Sequence, residues 1–360
     1  MNTGTMSSNL KLPVSLDDVP LSEELPPIVL TAFTRPELLK EVLSAIAQQS
    51  LLPQQILAFI DGPRTVDDEP LIGHCVSLLR EFSETIPVKI VTRSRNLGCD
   101  ENTVSALTEV FSSYSALVYL EDDDVPNPCF YDRMCRLLEA YRSHPQVFSV
   151  NAYANFPEGF ERLIDTDFMV SNRVFSWGFG TWADRWNAID IANRPQGYNP
   201  FGNFYNIPAT VQTKYTIVNQ FFLEKNKQAD WVISLTLAAL YNDYVHVTPM
   251  VSFVRNIGFG HPQAKTYKGP EPSWVNANYD SSVCPNSLPS SLELLDALKA
   301  PLDGKELTHH LAKKGLWLSP SAMWHLLWRY HRLRNVSLLL KLFLAHVPLM
   351  LRRWRSGLPV

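Results

Sequence analysis

Residues 121–124 read Glu-Asp-Asp-Asp, directly behind the apolar run Ala116–Leu120 and just ahead of Pro126. Neighbouring carboxylates repel, and each one withdrawn from water is costly unless paired. Two settings tolerate such a run. One is a solvated turn or helix N-terminus, where Asp is a favoured cap. The other is a site for a hard divalent cation, which takes oxygen ligands and often binds through one or two carboxylates plus the phosphates of a substrate. The run ends an apolar strand in the middle of a repeating pattern, where full solvation is not expected. That position favours the second setting, in which Mn²⁺ or Mg²⁺ holds a diphosphate.

The pattern around it supplies the context. Apolar runs at Ile28–Phe33, Ile56–Ile60, Val88–Val91, Ala116–Leu120 and Val147–Val150 alternate with helical spacing over Pro36–Gln48, Asp68–Phe82, Glu101–Phe111 and Asn127–Tyr141. Alternation of this kind predicts an α/β fold: a mostly parallel central sheet with helices on both faces. Open α/β sheets bind ligands at the carboxyl ends of their strands. Thr34 and Arg35 follow the first run, Asp61-Gly62 the second, Arg93 to Asn96 the third and Glu121 to Asp124 the fourth. Cations, amides and carboxylates therefore converge on one crevice, as a nucleotide would require. Arg35 also precedes Pro36, a favoured first helical residue, so it stands at an anion-binding helix end.

With these motifs in place, the region 27–262 resembles the nucleotide-sugar glycosyltransferases of GT-A fold, which is Rossmann-like. LEDDD resembles their D-x-D metal motif, and more narrowly the E-D-D form of N-acetylglucosaminyltransferases and bacterial relatives. IVLTAFTRPELLKEVLSAI, IDGP and RNLG (95–98) resemble their first strand and helix, second strand end and N-L-G turn. The resemblance implies a metal-dependent, inverting transfer of a hexosyl or N-acetylhexosaminyl group from a donor, a UDP-sugar first, to a glycan or lipid-linked hydroxyl, as in polysaccharide biosynthesis. It assigns Asp123 to the metal and Asp122 to the ribose. It places Thr31, Phe33, Arg35, Asp61, Arg95 and Asn96 around the donor. Asp124 departs from the family pattern, which often has an apolar residue there.

Transfer to a hydroxyl needs a base as well as charge neutralisation on the leaving diphosphate. In the family it lies in an acidic-Trp segment before a helix, which points to Asp230 in ADWVISLTL; an ordinary helix cap is the alternative, and Asp184 in TWADRW is the second candidate. SFVRNIGFGH (252–261) resembles a segment near the donor phosphates, making His261 a candidate for the metal or diphosphate and Arg255 and Asn256 for donor or acceptor. Lys265 lies in a loop that could close over phosphate. Trp177, Trp182 and Trp186 suit either a sugar-stacking wall or a core edge.

The chain has 360 residues, 46% hydrophobic, with five cysteines and no C-x-x-C pair, which argues against a disulfide framework or zinc site and for a reducing compartment. The organisation expected is a flexible leader over 1–25 without signal-peptide character, a catalytic domain over 26–290 and a basic helical tail over 291–360. The domain comprises a nucleotide-binding half (26–150), an acceptor half (151–262) and a loop (263–290). After Glu306 there is no acidic residue but nine Lys and Arg, which leaves 23 basic against 36 acidic residues before it. The acidic body excludes a nucleic-acid role. The tail's Trp, Leu and Arg suit an interfacial helix, hence a cytoplasmic protein peripheral on the inner face of a membrane, or a helix packed on the domain. Two other functions fit the same residues: a sugar nucleotidyltransferase, which would carry a Gly-rich loop after the first strand, and a non-catalytic nucleotide-sugar-binding protein.

Overall fold

The computed structural model describes residues 12–156, 162, 164–189, 191, 231–264 and 269–295, and within the tail 324, 328, 336, 337, 340 and 344. The chain divides into two compact units, one comprising Met1–Asp190 with Ala238–Leu294 and the other Ile191–Leu237 with Leu295–Val360.

In the first unit, β1 (Ile28–Ala32) and β2 (Ile56–Ile60) are buried at every position, as apolar strands covered on both faces must be. Ile28, Leu30 and Ala32 join a core with Leu39, Val42, Leu43 and Ile46 of α1 (Pro36–Ala47) and with Tyr131, Met134 and Leu138 of α4 (Phe130–Tyr141). The alternate residue Thr31 belongs to the other face. Its hydroxyl lies 2.8 Å from Tyr119 Oη, which also meets Thr103 of α3 (Cys99–Val110) at 3.2 Å. α2 (Glu69–Phe82) packs beside α1 and against β3 (Val88–Thr92), the half-exposed edge strand.

The sheet order is β3-β2-β1-β4-β8-β6-β9-β7, with β4 at Ala116–Glu121, β6 at Val147–Asn151, β7 at Phe168–Ser171, β8 at Phe179–Trp182 and β9 at Val245–Pro249. β1 pairs in parallel with both β2 and β4, while β8 and β7 run antiparallel to their neighbours. The mixed α/β sheet with its helices on both faces is therefore as expected. Because the chain steps outward from β1 to β2 and β3 and then returns to β4, the strand order reverses between β1 and β4. That reversal opens a crevice at their carboxyl ends.

Several elements depart from expectation. The acidic run turns at Asp122 and Asp123 and then enters a short strand, β5 (Asp124–Pro126), antiparallel to β10 (Val254–Asn256). The stretch 246–261 splits at Pro249 into β9 in the large sheet and β10 in this ribbon; a proline cannot continue a central ladder. β8 and the short α5 (Ala183–Ala188) lie within the aromatic stretch. The described part of the expected flexible leader is packed. Leu16 is fully buried, its N–H donates to Asn286 O at 2.9 Å, and Leu288 N–H donates to Val14 O at 2.9 Å. Helix α6 (Trp231–Tyr241) occupies the expected segment. Among the described residues no helix is long and apolar enough to cross a membrane; most of the expected interfacial helix lies outside them.

Candidate functional site

Arg35 occupies the position before Pro36, where the chain turns from β1 into α1. Its guanidinium crosses the crevice to the end of β4. Nε donates to Asp122 Oδ2 at 3.3 Å, Nη2 to Asp122 Oδ1, and Nη1 to Asp123 Oδ2 at 2.7 Å. The Phe33 N–H also points at Asp122 Oδ2, at 3.4 Å. Asp122 and Asp123 are 3% and 7% exposed, so the acidic knot faces inward. One guanidinium thus offsets part of the charge on two buried carboxylates. Burial opposes the charge on Arg35, yet Asp122 and then Asp123 raise its pKa above the usual arginine value. Asp123 titrates above the ordinary carboxylate range because burial, with Asp122 beside it, outweighs the pull of Arg35.

Asp124 does different work. It is fully buried, accepts the Glu121 N–H at 3.1 Å and the Asn256 Nδ2 at 3.1 Å, and so ties β4 to the β5–β10 ribbon. Burial first, then Asp123 and Glu121, push its carboxyl well above the usual range. Across the ribbon the Ile257 N–H donates to Asp123 O at 2.9 Å. Gly258 then passes so close that a Cβ there would overlap the Asp123 carboxylate. Only a glycine leaves that carboxylate its place.

Asp123 Oδ1 is buried without a hydrogen-bond partner. Such an atom is rare in a folded protein and asks for a ligand. Among the described residues no group of three or more His, Cys, Asp and Glu gathers to enclose a metal. A cation that takes one or two carboxylates and completes its shell with phosphate and water still fits Asp123. His261 does not extend that set as placed. Its Nε2 lies 2.5 Å from Glu37 Oε1 and its Nδ1 accepts the Gln263 N–H at 3.1 Å, so both ring nitrogens are engaged.

At the neighbouring strand ends, Asp61 is 4% exposed. Its carboxylate accepts from Gly62 N and Leu97 N at 2.8 Å and from Gly98 N and Asn96 Nδ2 at 2.9 Å. Asp61 and Asn96 thus knit the end of β2 to the RNLG turn, which leaves Asp61 acceptor capacity already filled by its own chain. Thr31, expected near the donor, faces the α3 side. Arg95 is exposed and meets Glu101 at 3.4 Å. Sequence reasoning passed over Arg64 and Gln263. Arg64 stacks over the Phe33 ring at 4.8 Å, pairs with Asp68 at 2.8 Å and reaches Gln263 Oε1 at 3.3 Å, while Thr34 also donates to that oxygen. An arginine behind Asp-Gly-Pro was a signal for Arg64; nothing in the sequence marked Gln263.

The aromatic stretch divides. Trp177 contacts Tyr153 at 4.5 Å and Phe259, next to Gly258, at 5.8 Å, and Phe259 contacts Trp274 at 6.1 Å. Trp182 and Trp186 are buried in the core, 3% and 4% exposed. β8 runs antiparallel with Trp182 opposite Ala116, so Asp184 sits at the amino end of β4. That is about 20 Å of strand away from Asp122, with Asp184 bound to Arg185 at 2.7 Å. Asp184 is therefore no candidate for the base. Asp230 and Lys265 lie outside the described residues.

No protein-family model matches the chain, nor does any curated protein sequence. Solved structures do. TarS of S. aureus is 9% identical with a TM-score of 0.40, covering 64% of this chain and 36% of that one. Residues 1–349 of TarS in complex with UDP-GlcNAc are 10% identical with a TM-score of 0.35, over 64% and 58% of the two chains. The mannosyltransferase PcManGT from Pyrobaculum calidifontis, in complex with GDP-Man and Mn²⁺, is 14% identical with a TM-score of 0.37, over 64% and 74%. This chain thus spans about a third of the full TarS length. At these values the likeness carries no function across, and the chain's own residues must supply it.

Proposed function

We propose that this chain is a glycosyltransferase that moves a sugar from a nucleotide-sugar donor to a hydroxyl acceptor, with metal dependence and inversion. One observation carries the reading: Arg35 from the end of β1 and Asp122 and Asp123 from the end of β4 meet, buried, where the strand order reverses, and one carboxylate oxygen is left unpaired. That is the position at which an open α/β sheet takes a nucleotide, and the motifs at its strand ends are those that resemble the GT-A family.

In this reading Asp123 holds Mn²⁺ or Mg²⁺, which when bound supplies the positive charge that a departing diphosphate needs. Arg35 has two partners to choose between. It neutralises Asp122 and Asp123 when the crevice is vacant of donor, and its planar fork suits a phosphate equally well. Phe33 and Arg64 form a stacked edge beside the β1 and β2 ends, apt for a base. Trp177, Phe259 and Trp274 form an aromatic run on the far side of Gly258, apt for a sugar face. Asp230, one residue before α6, takes the proton of the acceptor hydroxyl. The transferred group is hexosyl or N-acetylhexosaminyl, and a UDP-sugar is the first donor to try.

The test is a thermal-shift panel of UDP-, GDP-, CMP- and dTDP-sugars with and without Mn²⁺, followed by transfer assays on the donor that binds. A ligand that binds only the native state must raise the melting temperature. One donor should do so in a Mn²⁺-dependent way, and Asp123→Ala should abolish the effect. No shift from any donor would reject the reading. A shift with no product from any acceptor would favour a non-catalytic nucleotide-sugar-binding protein.

A further inference from the structure

Cys129 caps the N-terminus of α4, and Cys284 lies on the segment that passes it. The Cys129 thiol faces Asn127 Oδ1 at 3.5 Å and Val283 O, the residue before Cys284, at 4.0 Å, so the two thiols are neighbours across the segment. Cys284 is exposed and Cys129 half-buried, whereas Cys75 and Cys135 are buried. Arg133, one turn along α4, places Nε 3.1 Å from Cys284 Sγ. Its Nη1 is held by Asp17 at 2.7 Å and by Asn286 Oδ1 at 3.3 Å, and Asp132 lies 3.4 Å from its Nε. The guanidinium is thus fixed against the sulfur from two other segments. Asn127 Nδ2 donates to Val283 O at 2.9 Å, which holds the Cys284 segment against the start of α4.

This is the constellation that makes a cysteine reactive: an accessible thiol, a fixed cation and a second thiol within reach. Cys129 beside it and then Arg133 pull the Cys284 thiol down to about 6, against burial and Asp132, while Cys129 is pushed up. The attacking and resolving roles are therefore already divided between the pair.

We propose that Cys129 and Cys284 form a reversible disulfide that locks the 280–288 segment onto the head of α4, with a hydroperoxide as oxidant. The Cys284 thiolate attacks one peroxide oxygen, the O–O bond breaks, and the other oxygen leaves as hydroxide and takes a proton to become water. Cys129 sulfur then displaces the oxygen of the resulting sulfenic acid. An S–S bond forms, the second oxygen leaves as water with the Cys129 proton, and two electrons have passed from the thiols to the peroxide. A dithiol reductant reverses the bond. The inference rests on these sulfurs alone and is independent of the activity proposed above. Its consequence is structural: the bond joins the stretch between β5 and α4 with the segment that anchors the N-terminal residues.

The experiment treats the full chain with hydrogen peroxide, alkylates the remaining thiols and maps the products by mass spectrometry. Of five thiols, two should disappear, and one peptide pair should join positions 129 and 284 and be released by dithiothreitol. In Cys129→Ser, dimedone should label Cys284; in Cys284→Ser, no disulfide should form at Cys129. Five thiols surviving treatment, or a linkage between another pair, overturns the proposal. The role of Arg133 is read separately from the iodoacetamide rate at Cys284 near neutral pH. Arg133→Gln should slow it about tenfold and Arg133→Lys should restore most of the loss, with exposed Cys99 as the internal reference. Asp17→Ala controls for the lost N-terminal anchor, because it breaks that contact and keeps the guanidinium. An unchanged rate in Arg133→Gln overturns the activation.

Discussion

Asp123 and Asp124 are adjacent, both buried and both acidic, yet the structure gives them opposite duties, and substitution should separate them. Asp124 has both oxygens bonded, to Glu121 N–H and Asn256 Nδ2. Asp124→Ala leaves two buried donors unsatisfied and should cost about 2–4 kcal/mol of stability, read as a drop in urea midpoint. Asp123 carries an unpaired oxygen and a raised pKa, the mark of a buried charge incompletely compensated. Asp123→Asn removes that charge and should leave the melting temperature unchanged or higher while eliminating any Mn²⁺-dependent shift. A large destabilisation by Asp123→Asn would assign Asp123 to the scaffold. Arg35→Gln tests the third member. Without it the two carboxylates lose their internal counter-ion, so the apo protein should melt lower, and Mn²⁺ alone should stabilise it more than it stabilises the native chain. Equal metal response in both would mean that Arg35 and the cation do not share a place.

At the scale of elements, the site depends on a ribbon of two three-residue strands, β5 and β10, which brings Gly258 against Asp123. Gly258→Ala would drive a methyl into that carboxylate and toward Arg35 Nη1 without touching the large sheet. It should lower metal-dependent activity by about a hundredfold, the usual consequence of displacing a reacting group by an ångström, with circular dichroism unchanged. Unaltered kinetics in Gly258→Ala would show that the ribbon does not position Asp123. The ribbon is also where the sequence was hardest to read. β1, β2 and β4 announced themselves because five or six consecutive apolar residues between helical periods admit little else. β5 consists of Asp124-Val125-Pro126, which has no strand-like composition and pairs only because Asp124 finds Asn256 across it. β8 contains Gly180, packed under Leu117 O and Leu138, and reads as an aromatic loop until that close approach is seen. Strand ends were legible as a set, and it is there that Arg35, Asp122 and Asp123 meet. Which side chains were already satisfied was not, because three of the donors to Asp61 and the Glu37 carboxylate against His261 come from segments distant in sequence.

For the molecule as a whole, buried ionisable groups in two sheets set how stability follows pH. His246 on β9 is fully buried, with Nδ1 2.8 Å from Ser149 Oγ and Nε2 without a partner, and burial lowers its pKa to about 3. It is neutral in the fold, whereas the unfolded chain takes up a proton near the ordinary value of about 6.5. Its contribution is therefore complete above that value and is lost as pH falls toward 3, on the order of a few kcal/mol over the window. Asp124 has the opposite sign. Its raised pKa means that the unfolded chain gives up the proton first, near about 3.9, so its contribution is present below that value and lost as pH rises through the folded value. The two slopes bracket a stability maximum, and each can be removed alone. His246→Asn keeps a partner for Ser149 and cannot titrate, so urea midpoints below pH 6 should fall less steeply than in the native chain. Asp124→Asn should flatten the limb above the maximum instead. If both variants follow the native pH profile in parallel, the limbs belong to other groups, and the buried histidine and aspartate lose their place in the account of this fold.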